Sequence, residues 1–349
     1  MCRLGMRQIQ ERVSTWAFYA LLGLGFALGC AGVQAQGKPI VIKFSHVVAP
    51  NTPKGLAADY FAKRAGELTG GRVKVEVYPN SVLYKDKEEM EALQIGAVQM
   101  LAPSLAKFSQ LGVKEFEVFD LPYIFDGQQE ARLITNGKVG KDLLARLEPK
   151  GITGLAFWEN GFKQFSANTP IHSAADLKGK KFRIQSSRVL DEQMRVVGAL
   201  PYPMAFSEVY QALLTGVVEG QENPVSNFYT QKMYEVQKHL TLSDHGYLGY
   251  ALITNSKFWD SLPGDVRLQL DLAVKDATDY ANAIAAQKNE DDLKAVIATG
   301  RTTVYRMTPA EKLAMKKAFL PTHKNMESRI GKDIINRVYK ATRFNPQQL

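Results

Sequence analysis

Cysteine is almost absent from this sequence, whose 349 residues include only Cys2 and Cys30. Both lie in the first 35 residues, a segment that we interpret as a cleavable leader. The mature chain would then contain no thiol and no disulfide bond, even in a compartment that permits disulfides. Its stability must come from core burial, for which a chain with 45% hydrophobic residues has sufficient material.

The N-terminal segment contains an apolar run, from Trp16 to Leu28, that is too short for a membrane span. About 13 apolar residues fall below the roughly 20 that cross a bilayer. Arginines precede the run, and the small residues of Val33-Gln34-Ala35 follow it, in the order that a signal peptidase reads. We predict that residues 1–35 are an export signal and that the mature protein is periplasmic. The alternatives are a membrane anchor and a lipoprotein site at Cys30.

Motifs of the common enzyme and cofactor classes are also missing. We find no Ser-His-Asp order with a glycine elbow, no His-Glu-x-x-His, no Cys/His metal spacing and no glycine-rich phosphate loop. The five histidines are scattered along the chain. These absences predict no cofactor and no bound metal, and they weaken an enzymatic interpretation without excluding it.

Positive charge is in excess. The net charge is +9, and it becomes +7 when three arginines and Glu11 leave with the leader. Such an excess suits a small anionic ligand or an anionic surface. No nucleic-acid motif and no basic stripe with stacking aromatic residues accompanies it, so we do not expect nucleic acid as a partner.

The chain after the leader begins with alternating strand and helix patterns. The predicted elements are a strand at 40–44, a helix from Thr52-Pro53 to Gly70-Gly71, a strand at 73–77, a helix at 86–95 and a strand at 98–101. This β-α-β-α-β order predicts parallel strands joined by right-handed crossovers. Because ligands bind beyond the carboxyl ends of such strands, His46, Lys54 and Ser104 should lie near one rim.

A second α/β unit begins near residue 161. The turn signal Glu159-Asn160-Gly161 follows a short buried strand, and we expect the chain to leave the first domain there. The segment 116–125 is too apolar for a free loop and should pack in the core near the domain junction. From Asp265 to Thr299 the chain has neither glycine nor proline. A helix of that length would run about 50 Å, so we expect it to cross from one domain to the other.

Arg183 is the candidate for anion binding. It lies between the β-prone residues Phe182 and Ile184, so a strand would hold its guanidinium as a two-pronged donor that matches a carboxylate. The stretch from Gly220 to Pro224 is predicted to be a loop that a strand places nearby. The alternative for a Lys-Lys-x-Arg run is an edge strand with a solvated basic end.

Several stretches of the sequence together resemble one protein family. They are Phe44 to Gly55, Tyr78 to Ser81, Phe119 to Tyr123, Ala205 to Tyr210 with Gly220 to Pro224, and His245 to Tyr247. The family consists of the substrate-binding proteins of tripartite ATP-independent periplasmic (TRAP) transporters, specifically the C4-dicarboxylate type. The resemblance covers nearly the whole mature chain.

This resemblance implies an α/β, two-domain periplasmic-binding-protein-like fold. The ligand cleft would lie between the domains, which close like a hinged trap, and a long helix would span both. Domain I would comprise residues 36–160 and 249–288, and domain II residues 161–248 and 289–349.

The resemblance also implies roles for individual residues. Arg183 matches the arginine that forms a salt bridge to a ligand carboxylate, Asn223 the asparagine that hydrogen-bonds it, and Phe206 the aromatic residue packed against the ligand. Lys163 stands where the sialic-acid members have arginine, in a cluster with residues matching Glu222 and His245. Lysine keeps the charge but loses the bidentate fork.

A dicarboxylate needs a second cation, because an isolated buried carboxylate is too costly to keep ionised. Lys54 and Lys163 are the candidates, and we favour Lys54, with Ser104 and helix N–H groups as neutral donors. Lys163 would play a supporting role, with Glu222 and His245 behind the ligand-contacting residues. His46 and Trp158 complete the predicted binding residues.

The family resemblance implies a non-enzymatic receptor for succinate, fumarate or malate. It would act as a monomer, without a cofactor, and deliver its ligand to the small and large membrane subunits of a TRAP transporter. One alternative is a secreted enzyme that uses Glu222 and His245 as acid and base. Another is a subunit that presents its ligand to a sensor kinase.

Overall fold

The computed structural model describes residues 38–348. The predicted leader, its cleavage site and Cys30 lie outside these residues. Within them, nine strands form one mixed sheet. The strands are β1 (Ile40–Ser45), β2 (Val73–Tyr78), β3 (Met100–Leu101), β4 (Ile152–Ala167), β5 (Lys181–Ile184), β6 (Leu200–Pro203), β7 (Gly220–Asn223), β8 (His239–Asn255) and β9 (Thr303–Arg306).

The sheet has two ends that are joined by two long strands. Its order is β2-β1-β3-β8-β4-β7-β5-β6, and β9 pairs with β8. At the first end, β1 runs parallel to β2 and β3, which confirms the predicted parallel strands. At the second end, β5 runs parallel to β6 and β7. β4 and β8 are antiparallel to each other and connect the two ends.

The predicted turn at Glu159-Asn160-Gly161 is wrong, because β4 continues through it. The register of β4 against β8 shifts between Glu159 and Gly161, as in a β-bulge. Gly161 has a φ of 150°, in a region that favours glycine, so the residues that suggest a turn form the bulge instead. The predicted domain crossings at residues 160 and 248 thus lie inside continuous strands. The domain boundaries themselves stay a prediction.

The predicted loop from Gly220 to Pro224 is also wrong, because its first four residues form β7. β7 lies between β4 and β5 and is buried, yet its residues Gly-Gln-Glu-Asn have no apolar alternation that would signal a strand. The Arg183 strand is β5, as predicted. Its place between β7 and β6 rules out the alternative of a solvated edge strand.

Helices cover the sheet. They are α1 (Pro53–Leu68), α2 (Glu89–Gln94), α3 (Gln128–Thr135), α4 (Lys138–Ala145), α5 (Arg188–Val196), α6 (Val209–Leu214), α7 (Val225–Thr230), α8 (Ser256–Ser261), α9 (Gly264–Ala298), α10 (Pro309–Phe319), α11 (Pro321–Asn325), α12 (Glu327–Ile330) and α13 (Lys332–Thr342). α9 is continuous over 35 residues, which confirms the predicted long helix. Among residues 38–348, no helix combines the length and the apolar character of a membrane span.

Short 3-10 helices complete the secondary structure. They lie at Leu105–Leu111, Lys114–Asp120, Glu148–Lys150, Ala174–Leu177, Phe206–Glu208, Met233–Glu235 and Pro346–Gln348. Two of them follow β3, and the second contains the first half of the apolar segment 116–125. They pack in the core as predicted, because their aromatic residues are too apolar to remain in solvent.

Buried apolar side chains form separate clusters around the sheet. One cluster, which includes Phe44, packs α1 and α9 against the first end. Another, which includes Phe182, lies at the second end. A further cluster joins Val47 and Val48, which follow β1, to Phe206, which follows β6. Apolar contacts therefore bridge the two ends of the sheet close to the predicted ligand site.

Candidate ligand-binding site

A small cavity lies between the two ends of the sheet, with about 270 Å³ of space between its atoms that is partly open to solvent. The first end contributes Val47, Val48, Lys54, Asp86, Ser104 and Lys107, the second end Gln185, Phe206, Asn223 and Asn227, and β8 Leu248 and Tyr250. The structure thus brings four of the predicted binding residues together. They are Lys54, Ser104, Phe206 and Asn223.

Lys54 is placed by the first turn of α1. Thr52 caps this helix, and its side chain accepts a hydrogen bond from the Gly55 N–H. Gly55 approaches the preceding loop so closely that a Cβ there would lie 2.3 Å from the Pro50 carbonyl oxygen. Only glycine fits this contact, which holds the loop carrying Val48 against the start of the helix.

The ammonium group of Lys54 is buried without a carboxylate. Its Nζ donates to the Ala102 carbonyl at 3.0 Å and lies 3.9 Å from the centre of the Tyr250 ring. Within residues 38–348, no Asp or Glu forms an ion pair with it. Burial, followed by the charge of Lys107, lowers the pKa of Lys54 to about 7. A bound anion would relieve both effects.

Ser104 and His46 take different positions. Ser104 lines the cavity, and its Oγ accepts a hydrogen bond from the Ala106 N–H at 3.4 Å. His46 is 1% exposed and is not among the lining residues. Burial, followed by the charge of Lys54, lowers the pKa of His46 to about 3, so the imidazole is neutral. The predicted rim therefore holds Lys54 and Ser104, with His46 behind them.

Arg183 is buried beside the cavity rather than in its lining. Its Nε and Nη2 both donate to the Met204 carbonyl, at 3.1 and 2.9 Å, and its guanidinium lies 5.6 Å from the centre of the Phe206 ring. The residue is 2% exposed and has no ion-pair partner among residues 38–348. Burial lowers the pKa of Arg183, but an arginine stays protonated. Its charge is therefore available to an anion.

Asn223 belongs to a buried network of amide side chains. Its Nδ2 donates to Gln221 Oε1, and its Oδ1 accepts from Asn227 Nδ2 at 3.1 Å. Asn227 Oδ1 accepts from Asn160 Nδ2 at 3.0 Å, and the same Nδ2 also contacts the Tyr250 hydroxyl at 2.8 Å. These bonds fix the orientation in which Asn223 meets the cavity.

The two aromatic residues predicted to bind ligand, Phe206 and Trp158, lie in different parts of the structure. Phe206 lines the cavity and is 7% exposed. Trp158 is fully buried, its ring lies 6.0 Å from that of Phe44, and its Nε1 donates to Thr278 Oγ1 on α9 at 3.0 Å. The structure does not bring Trp158 to the cavity. It is a core residue, because it packs in the apolar cluster between Phe44 and the long helix.

Lys163, Glu222 and His245 form a buried ion cluster outside the cavity lining. Lys163 Nζ lies 2.6 Å from one oxygen of Glu222, and His245 Nε2 lies 2.8 Å from the other. Burial alone would raise the pKa of Glu222, but Lys163 and His245 lower it to about 2. Burial lowers the pKa of His245, and its Nδ1 lies 2.8 Å from the Ser243 hydroxyl. The cluster satisfies its own charges.

Sequence reasoning missed a second ion cluster, which does reach the cavity. Lys107 Nζ pairs with Asp86 and with Glu89, at 2.6 Å from the latter. Burial alone would lower the pKa of Lys107, but these carboxylates raise it to about 12. Asp86 and Glu89 looked like an acidic helix start, and Lys107 lies in an apolar stretch without a strand or helix signal. Their meeting could be found only in three dimensions.

Comparison with known proteins identifies the family. The model of the bacterial extracellular solute-binding proteins, family 7 (DctP), matches residues 44–329. The chain belongs to this family. It is 58% identical over 323 residues to the C4-dicarboxylate-binding periplasmic protein DctP of Rhodobacter capsulatus. The matched region covers 93% of this chain and 97% of the relative.

Solved structures agree with this membership. A TRAP periplasmic solute-binding protein from Shewanella oneidensis, with bound succinate, has a TM-score of 0.85 and 41% identity, covering 87% of this chain and 99% of that one. A homologue from Pseudomonas aeruginosa, with bound L-malate, has a TM-score of 0.80 and 41% identity, covering 82% of this chain and 100% of that one. The predicted family and its two-domain periplasmic-binding fold are confirmed. The family is extracellular, in agreement with the predicted export.

Proposed function

We propose that this protein binds C4-dicarboxylates, such as succinate, fumarate or malate, for import by a TRAP transporter. The observation that carries the proposal is the Arg183 guanidinium, which is 2% exposed and lacks an ion-pair partner among the described residues. A buried cation without a carboxylate is costly unless an anion joins it. The names of the relatives and the ligands of the solved homologues support the same ligand class.

Two buried cations suit two carboxylates. Arg183 lies beside Phe206 at the second end of the sheet, to which Asn223 also belongs, while Lys54 lies at the first end. Neither forms an ion pair within residues 38–348. A ligand with one carboxylate for each would neutralise both charges when the cavity closes around it. Arg183 would hold the first carboxylate, Asn223 and Phe206 would orient the ligand, and Lys54 with Ser104 would hold the second.

The binding of a ligand, rather than its chemical conversion, is the activity that this site supports. Glu222 and His245, the candidate acid and base, are both buried and neither lines the cavity. Each already has a partner within its own cluster. A general acid or base must reach the proton that it transfers. We therefore infer a receptor without catalytic residues, and no group of acidic, histidine or cysteine side chains within residues 38–348 is placed to hold a metal.

The partners follow from the proposed function. We propose that the loaded protein docks on the small and large membrane subunits of a TRAP transporter and that it acts as a monomer. Domain I, at residues 36–160 and 249–288, and domain II, at 161–248 and 289–349, would close on the ligand. Light scattering after size-exclusion chromatography tests the monomer, and co-purification with membrane subunits or with a sensor kinase distinguishes the two kinds of partner.

Calorimetry with succinate, fumarate, L-malate and butyrate tests the function. We expect all three dicarboxylates to bind and butyrate to bind much more weakly, because it leaves Lys54 without a carboxylate. Proton NMR of each acid after prolonged incubation should show it unchanged. Conversion of an acid would favour the enzymatic alternative, and the absence of dicarboxylate binding would refute the proposal.

A further inference from the structure

Asp86 forms a hydrogen bond across the cavity. It lies between β2 and α2 at the first end of the sheet, and its Oδ2 accepts the backbone N–H of Phe206 at 2.6 Å. Phe206 follows β6 at the second end and has its ring beneath the Arg183 guanidinium. One short bond therefore joins the two ends of the sheet at the wall of the ligand cavity. Asp86, the acceptor, is not among the residues singled out for binding from the sequence.

Other contacts beside Asp86 show that the two ends meet here. Val47 and Val48 pack against Phe206 in one apolar cluster. On the outer side, Lys85 Nζ lies 3.3 Å from Glu208 Oε1, and both side chains are about half exposed. The Asp86 bond differs from this surface pair because Asp86 is 9% exposed and lines the cavity. Hydrogen bonds shielded from water hold more strongly than exposed ones.

Lys107 keeps Asp86 ionised and in position. Its ammonium group pairs with the other carboxylate oxygen of Asp86 and with Glu89, and it is 3% exposed. Burial alone would raise the pKa of Asp86, but Lys107, the charge of Arg183 and the Phe206 N–H lower it to about 2. Because Lys107 is occupied by these two carboxylates, it orients Asp86 and is not free to bind a ligand carboxylate. The acceptor for Phe206 is thus held in position by groups of the first end alone.

We propose that Asp86 is a positioning residue that controls ligand release: its bond to the Phe206 N–H holds the cavity shut over a bound dicarboxylate. The inference rests on the proposed binding function. Since the bond can form only after the two ends meet, it acts on dissociation and hardly on association. Asp86 need not touch the ligand, so its effect should be similar for succinate, fumarate and malate.

The test is a chase experiment in which radiolabelled succinate is displaced by excess unlabelled succinate. We expect Asp86→Ala to accelerate dissociation at least tenfold, with association within twofold of the parent protein. Asp86→Asn keeps an acceptor oxygen of the same reach and should recover most of the slow dissociation. An equal loss in both variants would show that the charge beside Lys107 matters instead, and it would overturn the proposal. Lys85→Ala, which removes only the exposed neighbouring pair, should change dissociation less than twofold.

Two substitutions at Phe206 isolate the N–H group. Phe206→Ala removes the ring and keeps the donor, whereas Phe206→Pro removes both. Proline suits this position because Ala205 is extended (φ −61°, ψ 147°) and Phe206 begins a 3-10 turn. We expect Asp86→Ala to accelerate dissociation at least tenfold when it is added to Phe206→Ala. When it is added to Phe206→Pro, which already lacks the N–H donor, the acceleration should be less than twofold. Equal acceleration in both backgrounds contradicts the bond.

The controls separate this proposal from its premise. If the parent protein binds no dicarboxylate, the proposed binding function is refuted, whatever the role of Asp86. If the parent binds and Asp86→Ala releases succinate at the parental rate, only the role of Asp86 fails. Should a Phe206 variant not fold by circular dichroism, the comparison of Asp86→Ala with Asp86→Asn decides alone.

Discussion

Two buried ion clusters of this protein differ in their charge balance. In the cluster of Lys163, Glu222 and His245, one lysine faces one carboxylate, and burial lowers the pKa of the histidine. Around the cavity, by contrast, Asp86 and Glu89 are both engaged by Lys107, which leaves Lys54 and Arg183 without carboxylate partners among the described residues.

The difference distinguishes a structural cluster from a binding site. A buried pair that satisfies itself offers nothing to a ligand, and breaking it leaves an uncompensated charge in the core. A buried cation that contacts a backbone carbonyl and an aromatic ring, as Lys54 and Arg183 do, has lost water without gaining an anion. Such cations store free energy that a carboxylate ligand can recover. The comparison predicts that mutations in the first cluster change stability and mutations around the cavity change affinity.

The largest effect should come from Lys163→Met. Glu222 would lose its buried ammonium partner, and breaking such a pair costs about 3–5 kcal/mol. We expect the free energy of unfolding, measured with urea, to fall by about this amount. Succinate affinity of the folded fraction should change little. Undiminished stability together with lost binding would place Lys163 in the binding site and abolish the distinction between the clusters.

Arg183→Ala should show the opposite behaviour. Truncating one partner of a buried charge pair at an interface costs about 2–5 kcal/mol, so succinate affinity should fall at least about 30-fold while thermal stability without ligand is retained. Arg183→Lys should be nearly as harmful, because lysine cannot reproduce the planar fork. Calorimetry decides, with the exposed Arg195→Ala on α5 as the control. Parental affinity in Arg183→Ala would remove the main support for the proposed function.

Lys54→Ala should discriminate between ligands. Loss of one charge-assisted hydrogen bond costs about 1.5–3 kcal/mol, which we expect for succinate but not for butyrate. Lys63→Ala is a matched control, because Lys63 lies on the same helix with 68% of its side chain exposed. Equal losses for succinate and butyrate would show that Lys54 does not hold the second carboxylate.

The affinity should also depend on pH. Because the pKa of Lys54 is about 7 without ligand, its charged fraction falls as the pH rises above 7, and a dianion must then bind together with a proton. We expect succinate to bind up to about tenfold more weakly per pH unit between pH 7 and 9. Butyrate affinity should stay flat, because the charge of Arg183 does not titrate there.

Another buried group could titrate in the same range. Burial raises the pKa of Asp120 to about 7, close to that of Lys54. Asp120→Asn should therefore leave the pH dependence of succinate affinity intact. Calorimetry in buffers of different ionisation enthalpy should count the proton that the protein takes up when succinate binds. A succinate affinity that is constant to pH 9 would contradict the titration of Lys54.

Local sequence determined much of the framework. The proline after Thr52 started α1, the absence of glycine and proline allowed α9, and alternating valines made β2, because backbone propensities and side-chain periodicity act over a few residues. The same local signals failed at Gly161 and Gly220. A glycine can mark a turn, a bulge or a crowded strand, and only the neighbouring strand decides which of these forms.

The charge state of the site was decided by the tertiary structure alone. Lysine has the same local signature at Lys54, Lys107 and Lys163, but its partners come from 18 to 59 residues away: Glu89 for Lys107, the Ala102 carbonyl for Lys54 and Glu222 for Lys163. Electrostatic interactions depend on distance in space and on burial, neither of which a stretch of sequence contains. The sequence by itself therefore determined which side chains carry charge in this protein. Only the packing of the two ends of the sheet decided which of those charges were left for a ligand.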